Sequence, residues 1–172
     1  MSNPGTPVLI VIGGLPGTGK TTISRELSRR LRAAYVRIDA IEQGLRTAGY
    51  AAGVLGYVIA NAIAAENLKI GRIVVADCVN PVMASREGWR KTASSHSARL
   101  IEIEIICSDV GEHRRRLENR SADISGLTLP RWQDVLDRTY EPWDGKHVVL
   151  DSATLPVNQS VDRIEALVRD KG

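Results

Sequence analysis

Short runs of aliphatic and β-branched residues recur along the chain, at Val8 to Ile12, Tyr35 to Ile38, Arg72 to Ala76, Leu100 to Ile106 and Val148 to Leu150. Their brevity and apolar character predict strands, most of them covered on both faces. Between them the apolar spacing changes to the helical period. Ile23, Leu27 and Leu31 follow the first run at intervals of four. A helix is expected over Ala40 to Thr47, broken at Gly49, and a longer buried one over Tyr50 to Leu68, which is rich in Ala and ends before Gly71. Asn80 and Pro81 stop the third strand, and Val82 to Ser95 reads as the next helix. Glu102 and Glu104 alternate with Ile101, Ile103 and Ile105, which predicts a partly solvated strand toward a sheet edge. Asp109 is placed to cap a helix running to Asn119. Ser121 to Leu129 has turn residues and little periodicity, Pro130 opens a helix through Thr139, and Val161, Ile164, Leu167 and Val168 form the stripe of a closing helix. Strands alternating with helices predict one α/β domain over residues 1–172, a three-layer fold with a five-stranded parallel sheet and right-handed crossovers.

One stretch breaks the apolar pattern in an informative way. Residues 13–22 read GGLPGTGKTT, directly after the first strand and before the first helical stripe. Gly14, Gly19, Lys20 and Thr21 match a phosphate-binding loop, in which backbone N–H groups curl around phosphates at the positive end of a helix. The expected nucleotide contacts are Gly14, Leu15, Pro16, Gly17, Thr18, Gly19, Lys20, Thr21 and Thr22. Lys20 would bridge the outer phosphates, and the Thr21 hydroxyl would coordinate Mg²⁺. At this length the four specified positions arise by chance in roughly one sequence in a hundred or fewer.

The chemistry that goes with the loop is set by the acids and arginines around it. The second run closes on Asp39 and the third on Asp77, both on the sheet edge where ligands of open α/β folds gather. Asp39 is a candidate to orient or deprotonate an acceptor hydroxyl, and it also fits a helix cap. Asp77 is a candidate for the magnesium shell or the acceptor side. Arg116 and Arg120, one turn apart, are candidates for a clamp on the transferring phosphoryl group, although Glu112 with Arg116 and Arg114 with Glu118 are also spaced as ordinary surface pairs. The segment 120–130 is the candidate lid. Arg86 and Arg90, beside Trp89, are candidates to hold an anionic acceptor, and Tyr50, Tyr57, Tyr140 and Trp143 to line its pocket. His113 is expected in solvent.

These residues separate three classes of loop protein. A GTPase switch needs Asn-Lys-x-Asp to read its base, and neither Asp109 nor Asp123 follows Asn-Lys. A motor ATPase places a glutamate beside the second acid to activate water, whereas Cys78 and Val79 follow Asp77. A small kinase needs an acid near the acceptor, a cation clamp and exclusion of water, and Asp39, Arg116 with Arg120, and the lid segment supply all three.

Composition adds bounds. The length of 172 residues suits one domain, and the formal charge of +3 fits phosphate handling without implying duplex nucleic acid as a partner. Two cysteines, Cys78 and Cys107, lack metal-ligand spacing and are expected as buried thiols. MSNPGTP lacks the regions of a signal peptide, and the apolar stretch Tyr50 to Ala60 falls far short of the ~20 residues that cross a bilayer. A cytoplasmic protein, monomeric or homodimeric and without membrane contact, is expected.

GGLPGTGKTT, the strand ends at Asp39 and Asp77, and an arginine helix leading into a lid resemble the small P-loop kinases of the nucleoside-monophosphate-kinase group. Within it the chain is most similar to the branch with gluconate kinase, chloramphenicol phosphotransferase and the kinase domain of polynucleotide kinase. The resemblance implies a sheet order 2-3-1-4-5, ATP with Mg²⁺, and an acceptor hydroxyl held near Asp39. With the residue reading above, the catalytic candidates are Lys20, Asp39, Arg116 and Arg120, and the candidate acceptor contacts are Asp39, Asp77 and Arg86. The resemblance also implies that Asp151 to Pro156 contacts adenine. The chain departs from shikimate kinase, which has Asp-x-Asp where Arg37, Ile38 and Asp39 stand here, and from adenylate kinase, whose Asp-Gly-x-Pro-Arg is absent after Ala76. The implied function is ATP-dependent transfer of the γ-phosphoryl group to a small-molecule hydroxyl. A 5′-hydroxyl polynucleotide kinase and a non-catalytic ATP sensor are the alternatives.

Overall fold

A computed structural model describes residues 6–170. The N-terminal residues 1–5, which carry most of the signal-peptide reading, and residues 171–172 lie outside the described residues. Five strands, β1 (Val8–Gly13), β2 (Ala34–Arg37), β3 (Ile73–Asp77), β4 (Arg99–Ile106) and β5 (Val148–Asp151), form one parallel sheet in the order β2-β3-β1-β4-β5. This is the order that the family resemblance implies. The helices are α1 (Lys20–Leu31), α2 (Ile38–Thr47), α3 (Leu55–Lys69), α4 (Met83–Ser95), α5 (Val110–Glu118), α6 (Trp132–Leu136) and α7 (Val157–Arg169).

Alternate residues of β1 feed two cores, as the period of two requires. Leu9 and Val11 face α3 and α4, where Ala60 and Ala64 lie one turn apart and let α3 sit close to the sheet beside Trp89. Ile10 and Ile12 face α1 and α7 and pack with Ile23, Leu27, Val161 and Ile164. Each such aliphatic side chain contributes about 1.5–3 kcal/mol on full burial. All of β1 is buried, so the loop that follows it springs from the centre of the core.

Register then sets the site. Ile12 and Arg37 both pair with Asp77, so β1, β2 and β3 end at one level, while β4 runs two residues past Glu104, the partner of Gly13. The second strand ends earlier than the sequence pattern implies. Ile38 and Asp39 belong to the first turn of α2, where the acid is favourable near the helix N-terminus. Residues 50–54 stay outside α3, with Gly53 at φ 40°, and the helix expected after Pro130 is reduced to Trp132–Leu136.

β4 lies toward one edge of the sheet, as expected, but is the second strand in and not the edge strand itself. It pairs with β1 on one side and β5 on the other. Its glutamates have interior partners: Glu102 is buried and forms an ion pair with Arg90 at 3.1 Å, and Glu104 accepts a hydrogen bond from the Tyr140 hydroxyl at 2.9 Å. Among the described residues no helix is long and apolar enough to cross a membrane.

Candidate active site

The loop backbone takes conformations that its glycines allow. Gly14, Gly17 and Gly19 have φ of 146°, 86° and 91°. A Cβ at Gly14 would meet the Ile105 carbonyl oxygen at 2.3 Å, so this position is closed to any side chain. The Gly14 N–H donates to Val79 O at 3.1 Å, and the Thr18 hydroxyl donates to Leu15 O at 2.9 Å. His113, expected in solvent, is buried, and its Nε2 donates to Pro16 O at 2.7 Å. The reason is geometric. His113 and Leu117 lie one turn apart on the face of α5 that covers Gly17, while Arg114 and Arg115 are exposed on the other side.

Lys20 opens α1 and is almost fully buried. Burial pushes its ammonium below the usual lysine range, while Asp77 and Asp39 oppose that shift. Two cavities meet at this residue. One, of about 370 Å³, is lined by the loop residues Gly17, Gly19, Thr21 and Thr22, by Arg25 and Arg116, and by Ser121 and Asp123 of the segment after α5. The other, of about 640 Å³, is lined by Asp39, Glu42 and Arg46 of α2, by Tyr57, and by Leu127, Thr128 and Leu129. Lys20 and Arg120 line both. The first is lined by four cations, Lys20, Arg25, Arg116 and Arg120, and one acid, Asp123; the second by three carboxylates, Asp39, Glu42 and Asp134, four cations and apolar walls.

Most of the residues singled out in the sequence converge here, some in unexpected roles. Arg116 bridges the phosphate cavity to the loop after β5: its guanidinium donates to Ser152 Oγ at 3.0 Å and Ser152 O at 3.2 Å, and its Nε donates to Glu112 at 2.6 Å. That joins the clamp candidate to the segment marked by the resemblance for adenine. Arg120 has no carboxylate partner among the described residues. Asp77 is buried, accepts from the Tyr35 hydroxyl at 2.7 Å, and lines neither cavity.

Arg86 is not brought to the acceptor. Its side chain is 0% exposed, and its guanidinium donates to Asn80 O at 3.3 Å, Pro81 O at 3.2 Å, Glu141 O at 2.6 Å and Pro142 O at 2.8 Å. It also lies 4.9 Å from the Trp143 ring centre. A guanidinium with its fork spent on carbonyls has nothing left for a ligand. Arg90 likewise is taken up by Asp144 at 2.7 Å and by Glu102. Of the four aromatics, Tyr57 lines the acceptor-side cavity. Tyr50 is exposed, and Trp143 donates to Tyr140 beneath the start of the loop, where a Cβ on Gly13 would strike the Trp143 ring at 2.5 Å.

The sequence pattern missed a cluster centred on Arg37. This buried guanidinium lies 3.5 Å from Asp39 and 3.8 Å from Asp77, and donates to both carboxylate oxygens of Asp123, at 2.7 and 3.2 Å. Arg25 also donates to Asp123. The two arginines hold the Asp123 carboxyl well below its usual range. A signal was available: a lone arginine closing an apolar strand must find acids, because a buried charge without a partner is not tolerated.

Mg²⁺ has no ready-made cage, since no group of three or more His, Cys, Asp or Glu residues suited to a metal occurs among the described residues. The Thr21 hydroxyl in the phosphate cavity suits an ion that arrives with phosphate oxygens and waters of its own.

Comparison with known proteins bears on the family and the fold. The AAA domain family profile matches residues 9–142. A probable adenylyl-sulfate kinase of Aeropyrum pernix is 25% identical over 94% of this chain and 92% of its own. The Mycobacterium tuberculosis APS kinase CysC, solved with AMPPNP and APS, superposes with a TM-score of 0.75 at 16% identity, over 97% of this chain and 100% of that one. A gluconokinase from Sinorhizobium meliloti gives a TM-score of 0.61 at 19% identity, covering 98% of both chains.

Proposed function

The chain belongs to the AAA domain family of P-loop kinases, and from that premise we propose that it transfers the γ-phosphoryl group of ATP to a hydroxyl of a small-molecule acceptor. The observation that carries this reading is the meeting of two cavities at Lys20 and Arg120, with the phosphate loop on one side and Asp39 on the other.

ATP would lie in the smaller cavity, its outer phosphates on the loop amides and the N-terminus of α1. Lys20 bridges the β and γ phosphates. Thr21 would hold Mg²⁺, which would offset phosphate charge when bound, with Asp77 as a further candidate for its shell. The acceptor occupies the larger cavity, where Asp39 orients its hydroxyl and takes its proton. As the acceptor oxygen bonds to the γ-phosphorus, the bond from phosphorus to the bridging oxygen of ADP breaks. Arg120 and Arg116 balance the charge on the transferring group.

The near-complete burial of Lys20 beside the phosphate loop, with Asp77 and Asp39 as its counter-charges, suits a cation kept for phosphate. Lys20→Ala is expected to abolish transfer with the far-UV circular dichroism unchanged, and Thr21→Ala to lower it less. Undiminished turnover in folded Lys20→Ala would falsify the assignment. Adenylyl sulfate and gluconate, suggested by the relatives' names, are the first acceptors to assay.

A further inference from the structure

The segment 121–129 roofs both cavities: Ser121 and Asp123 line the phosphate side, and Gly126 through Leu129 line the acceptor side. It contains neither helix nor strand, and Asp123 is its only charged residue. That one carboxylate takes the bidentate bond from Arg37 and a further bond from Arg25. The roof is therefore fastened electrostatically at one point.

Arg37 is suited to that task. Its side chain is 5% exposed at the rigid end of β2, and it lines neither cavity, so it has no access to substrate. A fork-shaped guanidinium gives a directional bond that a lysine would not reproduce. Its remaining Nε has no hydrogen-bond partner and lies 3.8 Å from Asp77, while Asp39 stands 3.5 Å from Nη2. One cation thus faces the acceptor-side acid, the acid behind Lys20 and the roof.

On the kinase reading above, we infer that Arg37 is a positioning residue whose pair with Asp123 latches the roof and keeps water from the γ-phosphate. With the latch open, the same bond to ADP breaks, but a water oxygen bonds to the phosphorus, and inorganic phosphate and a proton are released in place of phosphorylated acceptor.

The test compares wild type with Asp123→Asn, Arg37→Lys, Arg37→Met and the double variant Arg37→Met/Asp123→Asn. Asp123 is partly exposed on an irregular segment, so Asp123→Asn leaves the fold intact. At saturating ATP it is expected to raise phosphate release relative to acceptor phosphorylation by about tenfold and to raise acceptor KM, the scale of one charge-assisted pair discounted for exposure. ATP affinity is expected to be unchanged or tighter, since a negative charge leaves the phosphate cavity. Arg37→Lys restores part of the partition that Arg37→Met loses, and the double variant is no worse than Arg37→Met alone. A merely structural role for Arg37 would lower both products alike. Hydrogen exchange of residues 121–129 in the ATP-analogue complex reads the latch without turnover, and faster exchange in Asp123→Asn supports it. If the wild type phosphorylates no hydroxyl while that exchange accelerates, the kinase reading fails and the latch stands. Unchanged partition with unchanged exchange overturns the latch.

Discussion

Replacing Arg86 with Met separates a structural arginine from a substrate-binding one. The change keeps the unbranched stem and removes four hydrogen bonds from the guanidinium to the carbonyls of Asn80, Pro81, Glu141 and Pro142. Pro81 O keeps the Glu141 N–H at 2.8 Å. The other three carbonyls retain no protein donor among the described residues. At about 1–3 kcal/mol for each orphaned acceptor, the ceiling is about 9 kcal/mol. Relief of the guanidinium's own desolvation, and water reaching the edge of the segment, reduce this to about 3–5 kcal/mol. For a chain of this size each kcal/mol moves Tm by about 2–4 °C, so a fall of about 10 °C is expected. Urea unfolding should show a lower midpoint at unchanged m-value, and acceptor KM measured well below the new Tm should stay close to that of wild type. A Tm within about 2 °C of wild type together with a raised acceptor KM would refute the reasoning and return Arg86 to the acceptor.

Asp39→Asn is expected to retain ATP binding, measured calorimetrically, and to lower transfer by about a hundredfold or more, the usual scale for a general base. His113→Ala removes the buried bond to Pro16 O and the packing over Gly17; a loss of about 1–3 kcal/mol in chemical unfolding is expected, together with weaker nucleotide binding. Asp123 has a depressed carboxyl, so its stabilising contribution is fully present above the ordinary value of 3.8 and disappears as pH falls through the lower folded value. Wild type should therefore exceed Asp123→Asn in stability at neutral pH, and the difference should narrow in unfolding measurements taken below pH 3.8.

What could be read from the sequence follows from the range of the interactions involved. The phosphate loop is legible because its function depends on backbone geometry over ten consecutive residues, 13–22, and glycine spacing records that geometry directly. The order of the strands, by contrast, leaves no mark on the aliphatic runs themselves and came from the resemblance. Glu102 and Glu104 imitated a solvated face because pairing with Arg90 and Tyr140 satisfies an acid as water would. Arg86 beside Trp89 reads as a site for an anionic acceptor until Glu141 and Pro142 are seen to take its guanidinium with their carbonyls. His113 sits in a basic run whose outward residues mask the inward pair it forms with Leu117. The Arg37 cluster was least visible, because Asp123 is 86 positions away in a segment without periodicity; only the unexplained arginine in an apolar strand pointed to it.

On the proposed function, a phosphoryl group passes from one cavity to the other between Lys20 and Arg120. The most direct test follows γ-labelled ATP with a panel of hydroxyl compounds and compares label in acceptor with label released as inorganic phosphate, in wild type and Asp39→Asn. Phosphoryl transfer predicts an acceptor labelled faster than phosphate is released, with that labelling lost in Asp39→Asn. Release of inorganic phosphate alone, or ATP binding without turnover across the panel, would contradict it.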